Sequence, residues 1–166
     1  MSATGSAPAI IEIPITLWRR LILDLRQKSA GMRESGAFVL GRRRGSFSRV
    51  TEYLCYDALD PEAYQGGAIA FHAPGYAALW KHCRHKELEV LADVHTHPSG
   101  RVRQSPIDRE NPMVPVFDHT AIIVPDFGRT AWWSLKAAGV YEYLGGFQWR
   151  DHPTSKKSSR VRLVLW

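Results

Sequence analysis

The order in which helical and extended patterns follow one another along this chain limits the folds that it can adopt. Two helices are predicted, one over 16–28, where apolar residues recur at helical spacing and Thr16 suits the N-cap, and one over 74–85. Predicted strands cover 10–15, 36–40, 47–56, 68–71, 89–94, 120–124, 139–144, 147–150 and 161–165, with a polar turn at 42–45. Because strands and helices do not alternate strictly, the pattern favours an α+β fold with a mixed sheet.

The size and composition of the chain indicate one globular domain. Of its 166 residues, 45% are apolar and 23% are charged, which excludes disordered, collagen-like and low-complexity classes. We expect residues 1–8, which are small and polar, to form a flexible tail, and residues 9–166 to form a single domain.

Cysteine usage and hydropathy predict a cytoplasmic protein. Cys55 and Cys83 are the only cysteines, and they form neither a CxxC motif nor a disulfide framework. No apolar run approaches about 18 residues, and the first residues lack the basic and apolar regions of a signal peptide. We therefore expect reduced cysteines and no contact with a membrane.

The excess of basic side chains suggests an acidic partner. Lys and Arg total 22 against 16 Asp and Glu, which gives a formal net charge of +6 and suits either nucleic acid or an acidic protein surface. The basic clusters do not belong to a recognisable nucleic-acid motif. We interpret them as a solvated surface, so nucleic acid is not the expected partner.

The pattern with the most chemical content follows the predicted strand over 89–94. His95 and His97 are two positions apart, so both imidazoles leave the same face of the strand, and Pro98 ends the strand where a site can open. Asp108 lies eleven residues after His97. Two imidazoles and a carboxylate would leave one tetrahedral position of a zinc ion for water, which is typical of catalytic zinc. A His-x-His pair alone is explained equally well by ordinary polar histidines.

The wider pattern resembles the signature of a known family. The chain contains His-x-His, seven residues, and then Ser-x-x-Asp, at His95, His97, Ser105 and Asp108. This resembles the JAMM (JAB/MPN) metalloproteases, which also place a glutamate at a strand just after the first helix, where this chain has Glu34. The similarity extends over about residues 10–150. It implies the small prokaryotic single-domain type, with a strongly curved mixed sheet, two main helices and a cytidine-deaminase-like architecture.

The resemblance assigns a role to each of these residues. His95, His97 and Asp108 would hold one catalytic zinc ion. Glu34 would act as general acid/base, taking a proton from the attacking water and delivering it to the leaving amine. Ser105 would donate a hydrogen bond to the developing oxyanion, and its position also suits the N-cap of a short helix. These two roles of Ser105 are compatible.

The resemblance also implies a function and partners. Such enzymes are isopeptidases or peptidases that cleave after the C-terminus of a ubiquitin-like protein, during deconjugation or precursor maturation. In bacteria they include members of defence-associated conjugation systems, whose activating and conjugating enzymes are candidate partners. The stretch over 99–118 would line the groove for the modifier's tail, with Arg101 and Arg103 as candidate groove residues.

The sequence leaves two other functions open. The sequence Pro98-Ser99-Gly100 resembles the RadC branch of the family, which implies a DNA-linked role. A separate departure from the family pattern is Ser35-Gly36, which stands where many relatives have a cysteine or glycine after the glutamate. A metal-free MPN interaction scaffold is the second alternative, although such domains usually lack one or more of the ligands that this chain retains.

Overall fold

The computed structural model of the protein describes residues 9–154 and 159–166, so the predicted tail over 1–8 lies outside the described residues. The described chain forms eight strands, four α-helices and a short 3₁₀ turn. The strands are β1 (Ile10–Pro14), β2 (Gly36–Arg44), β3 (Phe47–Cys55), β4 (Glu89–Thr96), β5 (Thr120–Val124), β6 (Gly139–Gly145), β7 (Gln148–His152) and β8 (Val161–Val164). The helices are α1 (Ile15–Ser29), α2 (Tyr56–Leu59), α3 (Ala73–Lys86) and α4 (Pro106–Glu110), and the 3₁₀ turn is Asp126–Gly128.

All eight strands belong to one mixed sheet, in the order β7-β6-β5-β4-β2-β3-β1-β8. The β1–β3, β1–β8 and β4–β5 pairs are parallel, and the other four pairs are antiparallel. The sheet is strongly curled into a half-barrel, so that Arg160, just before the edge strand β8, donates from Nε to Thr120 Oγ1 on β5 at 2.6 Å. The predicted α+β class with a curved mixed sheet and two main helices is confirmed.

Alternation along β4 sends its side chains to two different environments. Ala92 and Val94 face α1 and join the largest apolar cluster, in which Trp18 and Leu25 of that helix are almost completely buried. Asp93 and His95 therefore face the opposite side of the sheet. The site described below lies on that opposite face.

The face opposite α1 is covered in two separate parts. Over β2, α3 contributes to a cluster that contains Phe38, Tyr56 and Leu79. Over β5 and β6, a smaller cluster contains Ile123 and Tyr141. Between the two clusters, Asp93 and His95 of β4 line the floor of a cleft.

Three local predictions were wrong. Thr16 does not cap α1, because β1 runs directly into the helix and Pro14 takes the N-cap position. β2 does not end at Leu40, since residues 42–44 continue the pairing with β3 and the chain turns only at Gly45. Residues 68–71 are irregular rather than a strand. The guanidinium of Arg42 explains part of the second error, because it donates to the carbonyls of Lys86 and Glu87 at the end of α3 and so holds the charged hairpin extended.

Among the described residues, we find no helix that is both long and apolar enough to cross a membrane.

Candidate metal centre

The two histidines of the predicted metal site lie at the end of β4 and point at each other. His95 and His97 are each 7% exposed, and their Nε2 atoms are 3.2 Å apart. The first turn of α4 brings Asp108 to the same point. Its Oδ1 is 3.3 Å from His95 Nε2, and its Oδ2 is 3.2 Å from His97 Nε2. The structure therefore brings together all three residues that the sequence predicted as ligands.

The spacing of these atoms suits a small tetrahedral cation. Zinc lies about 2.0–2.1 Å from imidazole nitrogen and carboxylate oxygen, so two ligand atoms on a tetrahedral ion are separated by about 3.3 Å. The two Nε2 atoms, 3.2 Å apart, have that separation, and each also lies 3.2–3.3 Å from one of the two Asp108 oxygens. One ligand atom from each residue lies within 4.8 Å of the other two, which is close enough for all three to bind one ion. Two neutral imidazoles and one carboxylate are also a donor set that zinc prefers, and they leave a fourth position open.

Contacts among the candidate ligands and with Asp93 shift the pKa values of His95 and Asp108. Burial alone lowers the pKa of His95, but its contacts with Asp108 and Asp93 outweigh burial and raise that pKa to about 10. Burial raises the pKa of Asp108, yet hydrogen bonds from the two imidazoles and Ser105 hold it well below its usual range. A proton and a cation therefore compete for the same cluster, as in other sites whose ligands must be deprotonated.

Asp108 is oriented by the start of α4. Its backbone N–H donates to Ser105 Oγ at 3.1 Å, and its Oδ2 accepts from the Ser105 backbone N–H at 2.7 Å. These reciprocal bonds form a capping box, with Pro106 in the first helical turn. The predicted N-cap role of Ser105 is confirmed, and Ser105 also lines the cleft beside the cluster.

Glu34 lies in the segment between α1 and β2 and lines the same cleft as His95, Ser105 and Asp108. The cleft has a volume of about 910 Å³. Burial is the main cause that raises the pKa of Glu34, and Asp108 adds to it, whereas the two imidazoles oppose it. A carboxylate with a raised pKa is better suited to accept a proton near neutral pH than an exposed glutamate is.

A buried hydroxyl cluster attaches the Glu34 segment to the strand that carries the histidines. The backbone N–H of Ser35 donates to Thr96 Oγ1 at 3.0 Å, and the backbone N–H of Thr96 donates to the carbonyl of Ser35 at 2.9 Å. Ser29 Oγ lies within hydrogen-bond distance of both Ser35 Oγ and Thr96 Oγ1. Thr96 thus points away from the cleft and packs on the α1 side, and through Ser35 it fixes the backbone next to Glu34.

The two arginines predicted for the groove do not line this cleft. Arg101 instead contributes through its backbone carbonyl, which lies 3.0 Å from His97 Nδ1. From the same stretch, the cleft is lined by Gln104, Ile107 and Asn111, among others. The candidate groove residues are therefore different from those that the charge pattern suggested.

Sequence reasoning missed three residues around the cluster. Asp93 and His119 form a buried hydrogen-bonded pair at 2.7 Å behind His95, and His119 belongs to no recognisable motif in the sequence. Gln104 is only 7% exposed and lines the cleft, and its Oε1 has no hydrogen-bond partner in the described part of the chain. Asp93 could have been found, because it precedes His95 by two positions and must share its face of the strand.

The sequence matches a known family, and the fold is similar to solved structures. A family model described as prokaryotic homologs of the JAB domain matches residues 18–135. The chain is similar to a solution structure of protein DSY2949 from Desulfitobacterium hafniense, with 16% identity, 93% of each chain covered and a TM-score of 0.61. It is also similar to a solution structure of a protein from Salinibacter ruber, with 15% identity, 89% of this chain and 94% of the other covered, and a TM-score of 0.56.

Proposed function

Because the chain belongs to the prokaryotic JAB-domain family, we propose that it is a zinc-dependent hydrolase that cleaves the isopeptide or peptide bond after the C-terminus of a ubiquitin-like protein. The main support is the convergence of His95, His97 and Asp108 beside a cleft that Glu34, His95 and Asp108 line. Zinc held by these three side chains would polarise the scissile carbonyl and acidify a water molecule.

Glu34 supplies the proton transfers in this proposal. Its carboxylate accepts a proton from the attacking water and then donates it to the nitrogen of the leaving amine, so no proton is gained or lost over the cycle. The raised pKa that burial causes serves both steps, because the group must be a base first and an acid afterwards. Its segment is held in place by the hydrogen bonds between Ser35 and Thr96.

Ser105 stabilises the oxygen of the attacked carbonyl. Its Oγ already accepts a hydrogen bond from the Asp108 backbone N–H, which leaves the hydroxyl hydrogen available for donation into the cleft. Removal of one such donor typically costs about 2.7–4 kcal/mol of activation free energy. The capping box that orients Asp108 therefore also presents the oxyanion donor.

The cleft has properties that suit an extended peptide attached to a folded protein. Its floor lies between two apolar clusters, and its rim carries Met32, Ile107 and Phe147, which are 83%, 60% and 58% exposed. Exposed apolar side chains grouped around a cleft are characteristic of protein-binding surfaces. Gln104 Oε1, which has no hydrogen-bond partner among residues 9–154 and 159–166, would accept a hydrogen bond from a backbone N–H of the tail.

The proposal is tested with fusions of ubiquitin-like proteins from the same genome to a short C-terminal peptide. We expect cleavage directly after the modifier, observed by mass spectrometry, and loss of cleavage when a chelator removes zinc. The Glu34→Gln variant should retain stoichiometric zinc and lose at least about 100-fold in turnover. Glu62→Gln is the matched control, because Glu62 is exposed and lies outside the cleft.

The possible outcomes separate the alternatives. A chain that binds no zinc contradicts the proposal and favours the interaction scaffold. A chain that binds zinc but cleaves none of the fusions contradicts the substrate class, and unchanged turnover in Glu34→Gln contradicts the assigned base.

A further inference from the structure

A carboxylate lies buried behind the three candidate zinc ligands, and the proposed reaction does not use it. Asp93 is on β4, two positions before His95, and its side chain enters the same face of the sheet. Only 1% of its surface is exposed. Because an ionised carboxylate is strongly destabilised by burial unless it is paired, the partners of Asp93 must account for its presence.

The main partner of Asp93 comes from the neighbouring strand. His119 directly precedes β5, which runs parallel to β4. Its Nε2 lies 2.7 Å from Asp93 Oδ1, and the histidine is itself only 5% exposed. On the other oxygen, Oδ2, Tyr56 donates from its hydroxyl at 3.5 Å. The carboxylate is thus held from two sides and cannot turn freely.

The same Oδ2 of Asp93 faces His95, one of the three candidate zinc ligands. It lies 3.9 Å from Nδ1 of His95, an ionic contact longer than a hydrogen bond. The opposite nitrogen of that ring, Nε2, is the atom that meets His97 and Asp108. His97 has the corresponding arrangement, with its Nδ1 on the Arg101 carbonyl at 3.0 Å. Both candidate ligand rings therefore have an acceptor behind Nδ1 and present Nε2 to the cluster.

We propose that the Asp93–His119 pair is a positioning device that keeps the proton of His95 on Nδ1 and its Nε2 free to bind zinc. The inference rests on the proposed zinc site and deepens it. The carboxylate attracts the Nδ1–H end of the ring by its charge, and His119 keeps that carboxylate in place. Carboxylates that hold the second nitrogen of a ligand imidazole fix its tautomer and increase its basicity.

Asp93→Asn tests the charge while preserving size and a hydrogen-bond acceptor for His119. We expect the zinc affinity, measured by competition with a chromophoric chelator, to fall about 10- to 100-fold. The visible spectrum of the Co²⁺-loaded variant should differ from that of the wild type, because the orientation of one ligand ring has changed. His119→Leu should also weaken zinc binding. His119→Gln, whose amide can still donate to Asp93, should keep the zinc affinity close to that of the wild type.

Asp60→Asn is the matched control for a purely structural role. Asp60 is also a buried aspartate that contacts a histidine, His72, with Oδ2 and Nδ1 2.7 Å apart, but it does not line the cleft. Asp60→Asn should leave zinc affinity and the Co²⁺ spectrum unchanged. Equal losses of affinity in Asp60→Asn and Asp93→Asn, or wild-type affinity in both Asp93→Asn and His119→Leu, would overturn the inference. If the wild-type chain itself binds no zinc, the proposed function fails, and this inference fails with it. If the wild-type chain binds zinc and the Asp93 and His119 variants bind it equally well, only this inference fails.

Discussion

The two faces of the sheet are built from alternate residues of the same strands, yet they differ in how they are covered. The face toward α1 is closed by one helix of 15 residues, whose Trp18 and Leu25 join a continuous apolar cluster. The opposite face is covered by α3 on one side and by the β5–β6 cluster on the other. Polar groups are collected in the gap, and they include Asp93 and His95. A strand can thus contribute to the core with one set of residues and to a site with the other.

The largest effect on stability should come from truncating a large buried side chain on the face that α1 covers. Trp18 is 1% exposed, so Trp18→Ala should lower the free energy of unfolding by about 3–5 kcal/mol. Phe71→Ala, on the cleft side where the ring is only partly buried, should cost clearly less. Denaturant unfolding measures both, with Trp133→Ala as an exposed control that should stay within about 0.5 kcal/mol of the wild type. Equal losses for Trp18→Ala and Phe71→Ala would mean that the two faces are packed alike.

A smaller effect should come from Thr96, where the two faces are connected. Thr96→Val keeps the shape of the side chain but removes the acceptor of the Ser35 backbone N–H, which should cost about 1–3 kcal/mol of stability. Because that bond also holds the segment of Glu34, turnover of a modifier fusion should fall while zinc affinity stays unchanged. Thr51→Val, at an exposed position of β3, is the control. A parallel loss of zinc affinity would show that Thr96 acts on the ligands instead.

The smallest effect is a difference in the reactivity of the two cysteines. Burial raises the pKa of both thiols, that of Cys55 to about 12. Cys55 belongs to the cluster against α1, whereas Cys83 lines a second cavity of about 530 Å³. Since only the thiolate reacts, both should be alkylated slowly at pH 8, with rates that rise as pH increases. Peptide mass spectrometry should show Cys83 modified before Cys55, and the reverse order would argue against a closed α1 face.

The sequence was most informative where a local pattern determines geometry. The spacing of His95 and His97 on a strand predicts a shared face, and Ser105 with Asp108 predicts a capped helix start, because both follow from the period of one element. The five-residue strand β5 was also predicted with its observed limits. Helix α3 was predicted to within one residue at each end.

The remaining parts depend on contacts between distant segments. His119 meets Asp93 only because β4 and β5 pair in parallel, which places Ala92 beside Thr120. The Oε1 atom of Gln104, which has no hydrogen-bond partner in the described part of the chain, and the exclusion of the two arginines from the cleft both depend on how the stretch after Pro98 folds over the sheet. A charge pattern carries no information about such contacts, so Arg101 was given a side-chain role where its carbonyl is the group that contacts His97.

The curl of the sheet has a consequence for how much of the chain the site requires. Arg160, which is 5% exposed, donates to Thr120 Oγ1 and, from Nη2, to Asp118 Oδ1 at 2.6 Å. These two residues flank His119, the partner of Asp93. A chain shortened to the span that the family model matches, which ends at residue 135, would keep every candidate ligand and lose this anchor. The part of the chain that supports His119 is therefore longer than the span that the family model matches, since Arg160, just before the last strand, holds the residues on either side of His119.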